Sequence, residues 1–561
     1  MRKQRKYDLF FILLLIFLLG IRLFGLDQPI FDDETNYVQS INDPGPYYTI
    51  KPFNAHAHPL LGGWIFFLFG NLIGQEVWIY RLVPLFFWLI NVILIYLIVG
   101  REYTKRAALF SSFLMGLSYY PVLMSLQIDI EGSVLITTFL LITLFYLMYL
   151  KTSKVQWLVL AGLSFGLSLL TKLTAVFFIA LVGIYRISLI NNLSELFSFK
   201  RWKKIFFEFA TFGFLGALVF SIFPILTWDL FLKMINHSSH YFGLNISWMA
   251  LSMLLFWATP LLLGLFLFQA IKLKKKDRFW LIWFLFIFII YTFFIVGRPG
   301  THSVSGGVAD YSRFFMNLIV PLVVMGGVFL SKIRISEKKL TWGSVLSLLL
   351  LLLFFVINLN TVKILPRDFR IYLETLRSFD FNYLFSYTTS SGNLLGVNMG
   401  IMVFSIFISF FLILVCLFLK YQKKYNWSRW ALVCFLALGT ALNIFLVAEY
   451  LGPVTSPNIN SVFFEMIDYS KNQQTTPNLY ANNEGLLLHF NELKKEAGPN
   501  QYYLGMYFEG MSKHLPLKGR VLFLNWPPLS PNNKIYEVLK NCQPDKQFYS
   551  RNFLIGEVYL C

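Results

Sequence analysis

Charge is what this sequence lacks most. Of its 561 residues only 14% are Asp, Glu, Lys or Arg, while 57% are hydrophobic. An ordinary globular chain is roughly 25% charged and roughly 45–50% apolar. Water-soluble domains are thereby excluded for most of the chain, because so much apolar surface has to be dissolved in lipid. Cysteine is scarce as well. Cys416 and Cys434 fall inside apolar runs as packing residues, and only Cys542 and Cys561, both in a polar tail, lie where a disulfide is permitted; bridged and free states are both open. No internal repeat and no low-complexity linker is visible. Acidic residues are outnumbered, 29 against 48 Lys and Arg, which leaves a net charge of +19. Taken alone, that balance points to a polyanionic partner such as nucleic acid.

What the sequence has in abundance is long apolar runs. Thirteen are long enough for the hydrocarbon core: 7–26, 78–100, 107–125, 130–150, 156–171, 173–190, 206–226, 250–271, 279–297, 313–331, 341–359, 401–420 and 430–451. The stretch 155–190 is interrupted near its middle by Thr171-Lys172 and is too long for one span, so it is expected to be two helices meeting at Lys172. Leu60–Gly74 is short and glycine-rich, and is expected to form an interfacial or re-entrant helix. Basic residues decide the orientation. The loops at 1–6, 101–106, 151–154, 191–204, 272–278, 332–339 and 420–429 hold 26 Lys and Arg, and the opposite segments hold 4. With thirteen helices every basic loop falls on one side, so the amino terminus is expected in the cytoplasm and the carboxyl terminus outside. The first run, opening Met-Arg-Lys-Gln-Arg-Lys with no small-residue cleavage site after it, is read as a retained signal anchor. Most of the +19 therefore sets topology, and a nucleic-acid partner drops out.

The expected architecture is an all-α polytopic membrane protein with a small C-terminal α/β exterior domain. The membrane part covers 1–451, with a first exterior loop at 27–77, and the exterior domain covers 452–561. In the tail, 502–507, 520–524 and 553–560 are expected to be strands, and 486–496 and 536–539 helical.

The exterior segments carry ten acids (Asp27, Asp32, Asp33, Glu34, Asp43, Glu76, Asp129, Glu131, Asp229 and Asp310), and all seven histidines lie outside the basic loops. Acids contribute little to orientation, so their concentration indicates an acid-lined site at the outer surface. The densest cluster is Asp32-Asp33-Glu34, followed by Tyr37. Mutual repulsion of neighbouring carboxylates raises a pKa and suits one of them to act as a base; a solvated acidic loop is the plainer reading. Arg81, Lys172, Arg298 and Arg313 sit near the same interface, where a lipid phosphate would give them an anion to pair with. His56-Ala-His58 and His237-Ser-Ser-His240 lack a third ligand, so they are read as polar loops rather than metal sites.

In these residues the chain resembles the C-type membrane glycosyltransferases that use polyprenyl-phosphate sugars, especially the protein O-mannosyltransferases and the lipid A aminoarabinose transferases. Asp33-Glu34 resembles the acidic pair of their first exterior loop. His58-Pro-Leu-Leu-Gly-Gly63 is similar to their His-Pro-Pro-Leu-Gly-Lys stretch, with Leu60 and Gly63 as departures. Tyr80-Arg81-Leu-Val-Pro84 resembles a helix start of the family, Asp129 falls at the acid of the second exterior loop, and Gly166–Lys172 is similar to the Gly-x-x-x-x-Thr-Lys turn. Tyr311-Ser-Arg313 resembles the later Arg-Tyr helix start, although Phe314 follows Arg313.

The resemblance implies an inverting transfer from a polyprenyl-phosphate sugar to an acceptor hydroxyl on a lipid, glycan or protein, within a plasma or inner membrane. Asp33 would be the base, with Glu34 and Asp129 orienting the acceptor or sharing that role. Arg81, Lys172, Arg313 and Arg298 would hold the donor phosphate, and His58, Tyr37 and His302 would shape the loop and the acceptor site. No metal or other cofactor is required by this scheme. A transporter or flippase is the alternative, against which stand the absence of a repeat and the gathering of charges at one face. A non-catalytic scaffold displaying the tail is a third reading.

Overall fold

The computed structural model describes residues 2–30, 34, 35, 37, 38, 59–74, 76–190, 198–239, 254–293, 316–361, 363–365, 374, 375, 377–388, 394–473, 478–491, 501–504, 517–526, 528, 529, 531 and 533–561. The membrane part is a helical bundle. In chain order the helices are α1 (Arg2–Leu23), α2 (Leu60–Leu72), α3 (Val77–Glu102), α4 (Lys105–Leu117), α5 (Tyr119–Met124), α6 (Ile136–Thr152), α7 (Val155–Thr171), α8 (Val176–Ser188), α9 (Phe199–Phe220), α10 (Ile222–Leu226) and α11 (Trp228–Ser239). They continue with α12 (Thr259–Ala270), α13 (Arg278–Phe293), α14 (Met316–Lys332), α15 (Glu337–Leu359), α16 (Met399–Tyr421) and α17 (Tyr425–Leu451). Among the described residues six helical stretches are long and apolar enough to cross a membrane, namely Val77–Glu102, Glu131–Thr152, Phe199–Leu226, Glu337–Leu359, Met399–Tyr421 and Tyr425–Leu451.

Several breaks follow from local chemistry. The helices on either side of Lys172 are separate, as the charge in the apolar stretch implies: Lys172 is extended (φ −158°, ψ 137°), its N–H still closes on the Ser168 carbonyl at 2.9 Å, and a 3₁₀ turn at Leu173–Ala175 leads into α8. The run 107–125, expected as one helix, is broken at Ser118. Pro121 lies in the first turn of α5, where its missing N–H costs nothing, and a continuous helix would drive its ring into the carbonyl of residue 117. A π-helical turn at Glu131–Leu135 opens α6. Such turns leave a widened register, and this one borders the acidic end of the bundle.

Burial separates the inside of the bundle from its lipid face. Every residue of α14 from Met316 to Val328 is buried, whereas α15 presents Leu348, Leu349, Leu352 and Leu353 outward, with Leu349 59% exposed. An apolar ridge of that kind belongs in hydrocarbon, where it costs nothing. α14 lies so close to α4 that a Cβ on Gly327 would come 2.4 Å from the Ser111 nitrogen, so only glycine allows this backbone approach.

Between α15 and α16 lies an antiparallel hairpin, β1 (Leu384–Thr388) and β2 (Leu394–Asn398), which the apolar pattern did not anticipate. Its end is tied down by amides. Asn398 donates its backbone N–H to Asn358 Oδ1 (2.6 Å) and its side chain to Thr361 Oγ1 (2.7 Å), while its Oδ1 caps α16 at Gly400. Asn358 in turn donates to Thr455 Oγ1 (2.9 Å). Glu449, buried at the end of α17, accepts four hydrogen bonds of 2.6–2.8 Å from the N–H and hydroxyl groups of Thr455 and Ser456. The segment leaving the last helix is therefore fixed in direction.

The small C-terminal sheet domain consists of α18 (Ile459–Lys471), β3 (Leu479–Ala481), α19 (Glu484–Phe490), β4 (Gln501–Tyr503), β5 (Arg520–Leu524), α20 (Lys534–Leu539), β6 (Gln543–Ser550) and β7 (Phe553–Leu560). The sheet order is β4-β3-β5-β7-β6, with β3 parallel to both neighbours and the β5–β7–β6 ladder antiparallel. Val462, Phe463 and Met466 of α18 pack with Leu522, Leu524, Ile555 and Val558 of the sheet. Strand β6 was not foreseen, because residues 543–547 are all exposed, carry no apolar residue but Pro544 and give no alternation signal. The β6–β7 hairpin turns at Arg551 and Asn552, both at positive φ (50° and 67°), and is bridged at its open end by Cys542–Cys561. The disulfide left open by the sequence is formed.

Candidate functional site

Two loops meet at the acidic end of the bundle, one following α1 and one running from α5 to the π turn. Arg81, in the second turn of α3, is the junction between them and is wholly buried. Its Nη1 donates to Glu34 Oε1 at 2.9 Å and to the carbonyl of Leu126, and its Nη2 donates to Glu34 Oε2 (3.3 Å), Gln28 O (3.1 Å) and Pro29 O (2.8 Å). Glu34, equally buried, also accepts the Ile128 N–H at 2.9 Å. One ion pair therefore fastens Gln28, Pro29 and Glu34 of the first loop to Leu126 and Ile128 of the second.

Beside that pair, Tyr37 donates its hydroxyl to Asp129 Oδ1 (3.3 Å), which also accepts the Glu131 N–H (3.0 Å). Glu131 forms an ion pair with Lys172, so the turn between α7 and α8 is joined to the same platform. Beneath it, Asn91 of α3 donates to the Ser133 carbonyl (3.0 Å) and accepts from Thr137 (2.7 Å), which holds the π turn against α3. An apolar floor of Ile30, Tyr37, Val38, Phe66, Tyr80, Val83, Ile128 and Ile130 excludes water from below. α2, the short helix expected at 60–74, contributes Phe66, and its Gly62 faces Ile130 so closely that a Cβ would lie 2.6 Å from that side chain.

Glu34, Tyr37, Arg81, Asp129 and Lys172 are thus brought together from four separate parts of the chain. Two of these side chains are paired with each other. The four Nη hydrogens of Arg81 face five acceptors, and no part of the side chain reaches solvent. The Glu34 carboxylate pairs with Arg81 and accepts the Ile128 amide. Both are braces. Asp33, His58, Arg298, His302 and Arg313 lie outside the described residues, as does the side chain of His237. Among the described residues no group of three or more His, Cys, Asp or Glu gathers as a metal site.

Arg22 escaped the sequence reading. It is wholly buried near the end of α1, with its guanidinium 3.4 Å from the centroid of the Trp88 ring. It donates to Ser125 Oγ (2.7 Å), Leu18 O (3.0 Å) and Gly116 O (2.8 Å), bracing the α4–α5 break and the second loop from behind. A lone arginine inside the apolar run Leu-Gly-Ile-Arg-Leu was the available signal, since an intramembrane charge is costly unless it is used.

Residues 57–228 match the family model described as dolichyl-phosphate-mannose-protein mannosyltransferase. No curated protein matches the chain by sequence. Among solved structures, ArnT from Cupriavidus metallidurans bound to undecaprenyl phosphate is 14% identical, with 99% of this chain and 98% of that chain covered and a TM-score of 0.57. The apo state of the same ArnT is 15% identical over 98% and 97% of the two chains, with a TM-score of 0.55. The chain therefore has the ArnT fold. The resemblance to C-type glycosyltransferases is borne out in the fold along the whole chain and in sequence over residues 57–228.

Proposed function

We propose that this chain is an inverting glycosyltransferase that moves a sugar from a polyprenyl-phosphate donor to an acceptor hydroxyl at the exterior membrane face. The observation that carries the reading is the buried junction of the first and second loops, built from Glu34, Arg81 and Ile128 with Tyr37–Asp129 beside it. It supplies a rigid carboxylate-bearing platform at one membrane interface, within a fold shared with a protein that binds undecaprenyl phosphate.

In this scheme Asp33, next to the braced Glu34, removes the proton from the acceptor hydroxyl, which attacks the anomeric carbon as the bond to the lipid phosphate breaks. Asp129, fixed by Tyr37, orients the acceptor, and Lys172 at the rim together with Arg313 and Arg298 takes up the charge left on the phosphate. Lys172 is held at the platform by Glu131 and is 12% exposed, so its ammonium is aimed before the donor arrives. Thirteen crossings with the amino terminus inside and the C-terminal domain outside complete the proposal. The Cys542–Cys561 bridge supports that placement, since an exterior compartment is the oxidising one.

The test is incubation of the purified protein with a panel of polyprenyl-phosphate sugars and a mixture of lipid, glycan and peptide acceptors, with release of polyprenyl phosphate as the readout. Release from one or more donors with inversion at the anomeric carbon is expected. No release from any of them, with the protein folded, overturns the reading.

A further inference from the structure

The C-terminal domain reaches back into the loop that precedes the proposed base. Four positions on one face of α19 make the contact. His489 Nε2 accepts the backbone N–H of Ile30 at 3.0 Å, across 459 residues of chain. Thr35 Oγ1 donates to Glu484 Oε2 at 3.3 Å. Leu488 is buried in the same apolar cluster as Ile30, Tyr37, Val38, Tyr80 and Ile128. Gly485 lies so close that a Cβ there would sit 1.9 Å from the Ile30 carbonyl oxygen. Residues 484, 485, 488 and 489 recur at helical spacing, so this is one docking face rather than scattered contacts.

The opposite side of the same loop is held by Arg81, through the carbonyls of Gln28 and Pro29. Residues 28–30 are therefore clamped between the bundle and α19. Neither jaw floats: Glu449 and Asn358 fix the exit from the last membrane helix, and the His489 ring rests edge-on against Phe463 and Phe464 at centroid distances of 5.2 and 5.5 Å. A backbone N–H can only donate, so Nε2 must be the unprotonated nitrogen. Burial, with Arg81 and Lys471 nearby, keeps the imidazole neutral by lowering its pKa from 6.5 to about 3.

We propose that α19 is a positioning element of the transfer site: by clamping residues 28–30 against Arg81 it sets the path of the first loop, so that transfer depends on a domain contributing no reacting group. The proposal rests on the transferase reading above. Its substance is that the C-terminal domain is part of the catalytic assembly and not an attached module, with Gly485 and His489 as positioning residues.

Three variants of the full chain test it, each compared with wild type in detergent and in liposomes. Gly485→Ala should favour the helix locally, since alanine is the better helix former, yet its methyl group has no room against Ile30. His489→Leu removes the acceptor, while His489→Gln offers an amide oxygen in its place. Gly485→Ala and His489→Leu should each lower kcat at least tenfold with donor KM within twofold of wild type, and His489→Gln should recover most of the loss. Hydrogen–deuterium exchange in a peptide covering residues 24–30 should speed up at least tenfold in the first two variants, while protection of β5 and β7 is unchanged. Wild-type turnover in both variants, or unchanged exchange at 24–30, overturns the proposal. Should wild type transfer none of the sugars, the transferase reading fails by itself, and exchange at 24–30 still decides whether α19 holds the loop.

Discussion

Replacing Glu34 by Gln would strand a guanidinium in the interior. An arginine side chain is not deprotonated in proteins, so it has no neutral form in which to wait. The substituted amide could keep its oxygen toward Arg81 Nη1 and the Ile128 N–H, but its nitrogen would then face Arg81 Nη2, donor against donor. Two charge-assisted bonds are weakened or lost at a site with no solvent access. Breaking one partner of a buried pair costs about 3–5 kcal/mol, roughly two to three and a half orders of magnitude in the folded-to-unfolded ratio. Arg81→Met should cost a similar amount, through the abandoned carbonyls of Gln28, Pro29 and Leu126. The double variant should cost less than the sum of the two, with a coupling of about 1.5–3 kcal/mol. Unfolding of the four proteins in detergent, followed at fixed scan rate by tryptophan fluorescence and by residual transfer activity, gives the cycle. Wild-type stability in Glu34→Gln with transfer abolished would refute the bracing role and return Glu34 to the chemistry.

Other expectations follow from single contacts. His489 is neutral when folded and has a pKa lowered from 6.5 to about 3, so its contribution is complete above about pH 6.5 and is lost as pH falls toward 3, at about 1.4 kcal/mol per pH unit. Protection of residues 24–30 relative to the intrinsic amide exchange rate at each pH should therefore fall between pH 7.5 and pH 5, where the loss reaches about 2 kcal/mol, and it should fall much less in His489→Gln; identical pH dependence of protection in the two proteins contradicts the assignment. Cys542–Cys561 closes a loop of 19 residues of sequence separation at the open end of a hairpin, so Cys542→Ser should lower the stability of the C-terminal domain by about 3 kcal/mol, measured as its unfolding midpoint in denaturant with and without reductant. Asp129→Asn keeps an oxygen for Tyr37 and the Glu131 N–H but removes the charge, so kcat should drop at least a hundredfold with the thermal midpoint unchanged. Wild-type kcat would exclude Asp129 from the site.

The sequence displayed most of the bundle because lipid imposes a simple rule, apolar runs of fixed length, and because Lys and Arg mark one side. The break at Lys172 was legible for the same reason: a charge in a 36-residue apolar stretch leaves few alternatives. The break at Ser118 was not read, although Tyr-Tyr-Pro after it is a helix start in its own right. The candidate site was legible as a set of residue types and opaque as a set of partners. Glu34 and Arg81 each looked available for chemistry, and only their placement shows that they satisfy each other. His489 carried no local signal at all, because its partner is a backbone amide 459 residues away.

That separation has a consequence for when the protein becomes competent. The amide of Ile30 leaves the ribosome well before the imidazole that receives it. At about 5–20 residues per second, the 459 intervening residues take between about 20 and 90 s. Throughout that interval residues 28–30 can be held on the Arg81 side only. If α19 positions the transfer site as proposed, a nascent chain stays inactive until residues 484–490 have been made and have docked on residues 28–30.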